Sequence, residues 1–332
     1  MQTNRLVSAE LGSLWQTYQY ESMSHCILTY FDRTLDDPEG KLLLRRLLDL
    51  QEGHLAALRQ FFERERIPLP CGYTETDVHP GAPKLFNDAF ILQFVAFMNQ
   101  VALEQSQMSL STAPTRDLRH FLMQRLHHYT ELEDATFELL LEKGLFVRAP
   151  YVPYPTEVTF VQDPGFLAGL LGNKQPLNVL ETGHLFINSI RNQLGTLLMT
   201  GLIQTVQEPE IREYLLKGKQ LAREIAGIFD SVTKEAELPP AALISVEVTD
   251  ATEPPFSDRL ILNFVTALNT YGLGIYGFSL AHTTRADLAA QLVRIIGETG
   301  KYGTEGLQLL IKYGYLEAPP ATPNRQKLAK QE

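Results

Sequence analysis

The chain has 332 residues, 44% hydrophobic and 20% charged, which suits two domains that each bury a core. A net charge of −10 argues against non-specific nucleic-acid binding, which needs a basic surface to neutralise phosphates. Only Cys26 and Cys71 are present, so no disulfide framework is expected. No basic-then-apolar leader opens the chain, and no run reaches the roughly 18 apolar residues of a membrane span; the expectation is a cytoplasmic protein.

In chain order, residues 9–34 predict a first helix, ended before Asp36-Asp37-Pro38-Glu39, where the proline suits the start of the next. The leucine-rich pattern LLLRRLLDLQEGHLAALRQFF carries a second helix over about 38–65. A Pro/Gly-rich crossing, IPLPCGYTETDVHPGAPK, leads to helices over about 87–112 and 116–143, the last closed by Gly144 in the position just past a helix end. Residues 151–176 read as an extended, ordered connector punctuated by prolines. Four more helices follow near 178–206, 209–236, 257–283 and 285–313. The tail, 319–332, lacks apolar residues to bury and reads as flexible.

The second set repeats the first. IPLP (67–70) recurs as LPP (238–240), PKLFND (83–88) as PPFSD (254–258), EKGLFVRAP (142–150) as KYGYLEAPP (312–320), and the Asp36–Glu39 turn as Gln207-Glu208-Pro209-Glu210. The offset is 171 residues early in the unit and 170 after the crossing, a constancy that establishes a tandem duplication. Two short connections and one long crossover per unit predict an all-α chain of two tandem ferritin-like four-helix bundles, 1–150 and 177–318, joined by the extended connector.

Three blocks of the first half, GSLWQTYQYESMSHCILTYF, IPLPCGYTETDV with APKLFND, and LLLEKGLFVRAPYVPYP, resemble one bacterial family. So do HLFINSIRNQLGTLLMTG, TEPPFSDRL and YGYLEAPP in the second. The family is domain of unknown function 3231, from spore-forming Gram-positive bacteria, some members of which are labelled spore coat proteins. The resemblance covers nearly the whole chain. It implies two ferritin-like bundles and a spore association, and no established activity.

Metal sites in four-helix bundles are built at mid-depth, from side chains on facing helices. Near the helix midpoints of the first unit stand Glu21, His25, His54, Glu104, His128 and Glu131. His54 lies on the stripe Leu47, His54, Leu58, Phe61, and His128 with Phe121, Leu132, Ala135 and Leu139. Glu21 with His25, and His128 with Glu131, are one turn apart, so each pair could face one ion. The Glu-x-x-His pair of a dinuclear iron site is missing, because Glu52 is followed by Leu55 and His128-x-x-Glu131 runs in reverse. A single zinc or iron with His54, Glu131, His128 and Glu21 as ligands, and His25 and Glu104 behind them, is the alternative that remains. In the second unit the matching positions are Ile225 for His54, Lys301 for Glu131 and about Arg191 for Glu21, so no such site is expected there.

Other signals have plainer readings. Gly272, Gly274 and Gly277 match a dinucleotide pattern but sit inside a predicted helix, where they permit close helix packing rather than phosphate binding. Asn87-Asp88 and Ser257-Asp258 suit helix N-capping, and Glu10 and Glu181 the positive ends of the first helices. Cys26 is expected to be buried and inert. Tyr73, Phe86 and Phe256 are expected to cover the bundles. Three functional classes remain: a structural or interaction protein acting by self-association or with protein partners, a metal-binding bundle, and a bundle holding a small molecule in an apolar cavity. The first is favoured over any enzyme.

Overall fold

The computed structural model describes residues 5–162 and 174–330. Eight long helices form two halves. The first holds α1 (Ser8–Thr34), α2 (Pro38–Arg64), α3 (Asp88–Ser111) and α4 (Arg116–Glu142). The second holds α5 (Val179–Thr205), α6 (Pro209–Glu235), α7 (Asp258–Ala281) and α8 (Ala286–Lys312). Within each half the first helix packs on the second and third, and the fourth packs on the second and third. The all-α class and the two four-helix halves are as expected. A six-residue helix, α9 (Arg325–Lys330), lies in the tail, and its Leu328 stays exposed.

Local chemistry fixes the helix ends. Pro38 and Pro209 occupy first-turn positions of α2 and α6. The Asn87 side chain accepts from Phe90 N at 3.0 Å and Ser257 Oγ from Leu260 N at 3.1 Å, capping α3 and α7. The next residues reach further: Asp88 accepts from the amides of Asp36 and Asp37, and Asp258 from those of Gln207 and Glu208. Glu10 and Glu181, both buried, accept at their own helix starts and also from Thr115 N and Thr284 N, tying the start of α1 to α4 and of α5 to α8. Gly144 and Gly314 follow the last helices of the two halves with φ of 67° and 68°, the left-handed conformation that closes a helix.

The two halves are not separate beads. Val78 bridges Phe256 and Phe86 bridges Val248 in antiparallel fashion, each pair joining the two crossovers. His79 N donates to Pro255 O at 2.7 Å and Thr249 N to Leu85 O at 2.9 Å; Ser257 N donates to Asp77 O at 3.0 Å and Asn87 N to Glu247 O at 3.1 Å. Every partner in this ladder is 170 residues from its counterpart, so the crossovers pair as two copies about a pseudo-two-fold axis. Behind the ladder lies one apolar core common to both halves, containing Phe31, Phe86 and Phe94 with Leu202, Phe256 and Phe264. Smaller clusters fill the far ends, around Leu14, Leu58 and Phe121 in the first half and Leu185, Phe229 and Ile295 in the second. Tyr73, Phe86 and Phe256 are buried as expected, but at this junction rather than over a single bundle. A Cβ on Gly201 of α5 would stand 2.6 Å from the Phe86 ring, so glycine is what admits that ring to the second half.

A shared core of this kind couples the halves in unfolding. Trp15, the only tryptophan, reports on the first half, while far-UV circular dichroism reports on both. The two denaturation curves should coincide. Phe86→Ala should shift both together, by about 3–5 kcal/mol of stability; separation of the curves in the wild type would show the halves to be independent.

Candidate functional site

The mid-depth layer of the first half is built around a buried charge. On α4 the stripe Leu118, Leu122, Arg125, Tyr129, Leu132, Thr136 faces inward, so its heptad-like spacing carries an arginine into the core. Arg125 is 2% exposed and Glu21 of α1 is 1% exposed. Arg125 Nε donates to Glu21 Oε1 at 2.6 Å, and its NH1 donates to Ser106 Oγ and, at 3.3 Å, to Ala102 O. Tyr129 OH sits 3.0–3.1 Å from both Glu21 oxygens, and the guanidinium lies over the Tyr129 ring with its carbon 4.9 Å from the centroid. Gln51 Nε2 donates to Ser24 Oγ at 2.9 Å and, more weakly, to Tyr129 OH at 3.5 Å.

Burial alone would raise the Glu21 carboxyl. The Arg125 charge and the His54 and Arg125 contacts outweigh it and hold the group at about 2, well below its ordinary 4.5. Burial pushes the Tyr129 phenol far up, so it remains a donor to the carboxylate. Burial also lowers His128, with the neighbouring His54 and His127 adding to the shift.

The six residues singled out as ligands fall in four places. Glu21, His54 and His128 form a chain: His54 Nδ1 is 3.3 Å from Glu21 Oε1, and His54 Nε2 is 3.0 Å from His128 Nδ1. His128 is half-buried, so the chain runs from the core towards the surface. Glu131 lies outside, paired with Arg46 at 2.6 Å and facing His127 at 3.3 Å. His25 stands 4.0 Å from Glu52. Glu104 faces the second half, accepting from Tyr271 OH at 2.8 Å beside Arg191. Among the described residues, no three His, Cys, Asp or Glu side chains gather as a metal's ligands would. What this layer does chemically is hold one carboxylate ionised between a guanidinium and a phenol.

Arg125 was not singled out in the sequence. Its signal was its place on the apolar stripe of α4, where a charge must find a buried partner. The equivalent of Glu21 also needs correcting. α1 and α5 are both 27 residues long and begin at Ser8 and Val179, so the offset of 171 pairs Glu21 with Asn192, not Arg191. Asn192 accepts from Tyr276 OH at 2.9 Å. Gly272, Gly274 and Gly277 do lie in a helix, α7, yet a Cβ on Gly274 or Gly277 would meet nothing within 4 Å. Close helix packing is therefore not what these glycines serve. Cys26 is buried, its thiol pushed up to about 12 mainly by burial, while Cys71 is exposed.

The profile of a family described as "Protein of unknown function (DUF3231)" matches residues 1–158 and again 165–328. A crystal structure described as that of a "putative spore coat protein" from Bacillus halodurans C-125 is similar at 16% identity and a TM-score of 0.41. The similarity covers 48% of this chain and 99% of that one. None of the curated proteins compared matches the chain.

Removing one partner of the buried pair leaves the other uncompensated. Arg125→Met should lower stability at neutral pH by about 3–5 kcal/mol. In the wild type, Glu21 binds fewer protons folded than unfolded, so its contribution is complete above about pH 4.5 and is lost as pH falls towards 2. Denaturation between pH 5 and pH 2 should show that loss, on the order of 3 kcal/mol, and Arg125→Met should abolish it.

Proposed function

The chain belongs to the DUF3231 family, and on that premise we propose that it is a structural, interaction-bearing protein whose connector docks onto a second copy of itself. One observation carries this reading. Tyr151, Tyr154, Val158 and Phe160 are 85%, 95%, 85% and 83% exposed, four large apolar side chains within ten residues, whereas the bundles cover their inward faces. Soluble chains seldom leave such a run uncovered unless something covers it, and exposed tyrosine and phenylalanine are the side chains that anchor interfaces.

The backbone favours a second copy as occupant. Residues 147–162 make no backbone hydrogen bond to another described residue, and past Pro150, Pro153 and Pro155 the run 156–162 offers an amide and a carbonyl at every position for pairing. Extended segments of this chain already pair antiparallel with their own repeat, at the two crossovers. An identical connector offers the same complementarity, backbone ladder plus interleaved aromatic rings. The family resemblance adds a spore setting to this reading, which expression confined to sporulation would support and uniform vegetative expression would oppose.

Sedimentation equilibrium over a wide range of concentration tests the proposal. The wild type should pass from monomer to dimer as concentration rises. The triple variant Tyr151→Ser/Tyr154→Ser/Phe160→Ser should stay monomeric with unchanged circular dichroism. A wild type that is monomeric throughout, or a variant that associates equally well, sinks it.

A further inference from the structure

The second half differs from the first at the same depth, and the differences sort into two kinds. Some large side chains have merely changed places. Leu47 and Leu132 of the first half correspond to Gly218 and Tyr302, and a Cβ on Gly218 would collide with the Tyr302 ring. Ser106 and Arg125 likewise correspond to Tyr276 and Ile295. Volume lost on one helix is regained on its neighbour, as close packing requires.

The hydrogen-bonded set Ser24, Gln51 and Tyr129 is not regained. Its counterparts are Gly195, Ala222 and Thr299, all shorter, and all three line a cavity of about 110 Å³ between the helices of the second half. A Cβ on Gly195 would meet nothing within 4 Å, and the nearest atom to one on Gly272, which replaces Ala102, would be 3.8 Å away. The remaining wall is largely apolar and includes Phe94 and Phe97 from α3 of the first half. Among the described residues, no carboxylate lines it. Two polar atoms of the lining are left over. Thr299 is 4% exposed and its Oγ1 has no hydrogen-bond partner. The Nε of Arg191 is buried and without a hydrogen-bond partner too; its NH2 makes long hydrogen bonds, 3.4 Å to Gln100 and 3.5 Å to Glu104, and its guanidinium carbon lies over the Tyr271 and Phe97 rings, 5.3 and 5.9 Å from their centroids. Buried donors of this kind without a partner are costly unless an acceptor arrives.

We infer that the second half is a binding site for a small apolar molecule bearing one acceptor oxygen, a ketone, amide or carboxylate on a body no larger than a six-membered ring. The size follows from the volume, somewhat below the roughly 150 Å³ of a cavity that holds benzene. The flexible Met199 in the wall can adjust to shape. The acceptor follows from Thr299 Oγ1 and Arg191 Nε, both able to donate. The first half cannot serve the same role, because Gln51 and Tyr129 occupy the equivalent space.

Ligand-observed NMR with cyclopentanone, and with cyclopentane as the body lacking the acceptor, tests this on the full chain. Cyclopentanone should bind the wild type. Ala222→Leu, and the graft Gly195→Ser/Ala222→Gln/Thr299→Tyr that installs the first half's own residues, should each weaken it by about tenfold or more. Thr299→Val, which keeps shape and fold, should cost cyclopentanone about fivefold and leave cyclopentane unchanged. Absence of binding to the wild type, equal binding to Ala222→Leu, or equal losses for both probes in Thr299→Val would overturn the inference. If the graft does not fold, the two single substitutions decide.

Discussion

The antiparallel pairing of the two crossovers is the constraint on which the remainder of the chain depends. Long connections between helices usually run over a surface, because a buried loop carries backbone groups that need partners. Here each crossover supplies those partners to the other, through four main-chain hydrogen bonds of 2.7–3.1 Å. Once paired, the ladder brings Phe86 and Phe256 inward on opposite sides of the pseudo-two-fold axis, against Gly201 in one half and Tyr30 in the other. The shared core follows from that. So does the ion pair of Asp77 with Arg259, which spans the halves at 3.0 Å and has no counterpart, since the matching positions are Glu247 and Ala89. The duplication behaves as a dimer whose subunits happen to be joined.

That arrangement leaves the two mid-depth layers free to diverge, because the core at the junction is what joins the halves. The first layer has become a polar cluster in which Glu21 and Arg125 are each bonded to more than one neighbour, while Gln51 Oε1 has no partner among the described residues. A buried pair of this kind is weak evidence of added stability, since desolvation offsets much of the attraction. It does constrain geometry, because every member must be in place at once. The second layer has gone the other way, giving up polar contacts and keeping open volume.

Much of the fold was legible in the chain. Helix boundaries read from apolar spacing, Pro38, Pro209 and Gly144 fall within one or two residues of those observed, because those signals act locally. The capping roles of Asn87 and Ser257 were legible for the same reason. The ladder between crossovers was not, since nothing in IPLPCGYTETDVHPGAPK announces a partner 170 residues away. At the site, the sequence drew attention to groups that could ligate, His54, His128 and Glu21, and these do touch. It passed over Arg125, whose charge suggests a solvated residue until its place on the stripe of α4 is weighed. Glu131, His25 and Glu104 were grouped by depth alone, and depth does not say which way a side chain points around its helix.

The comparison of repeats that the sequence invited carries more than the search for ligands did. The ligand-type side chains at mid-depth belong to the first half, with Ile225 and Lys301 where the first has His54 and Glu131. Side-chain volume reverses that emphasis. In the first half the buried charges at mid-depth, Glu21 and Arg125, are paired with each other and bonded to Tyr129 and Ser106. In the second, the replacement of Ser24, Gln51 and Tyr129 by Gly195, Ala222 and Thr299 removes three hydrogen-bonding side chains, and although Tyr271 and Tyr276 stand in the same wall where the first half has Val101 and Ser106, a cavity of about 110 Å³ stays open beside them. Core positions under selection for stability alone tend to refill such a gap, since an unfilled cavity of this size weakens the fold by an amount that grows with its volume. The swap of Leu47 and Leu132 for Gly218 and Tyr302, which also stand in the cavity wall, shows this half refilling part of the space. The gap beside Thr299, left open next to a refilled one, is what a demand other than packing leaves behind.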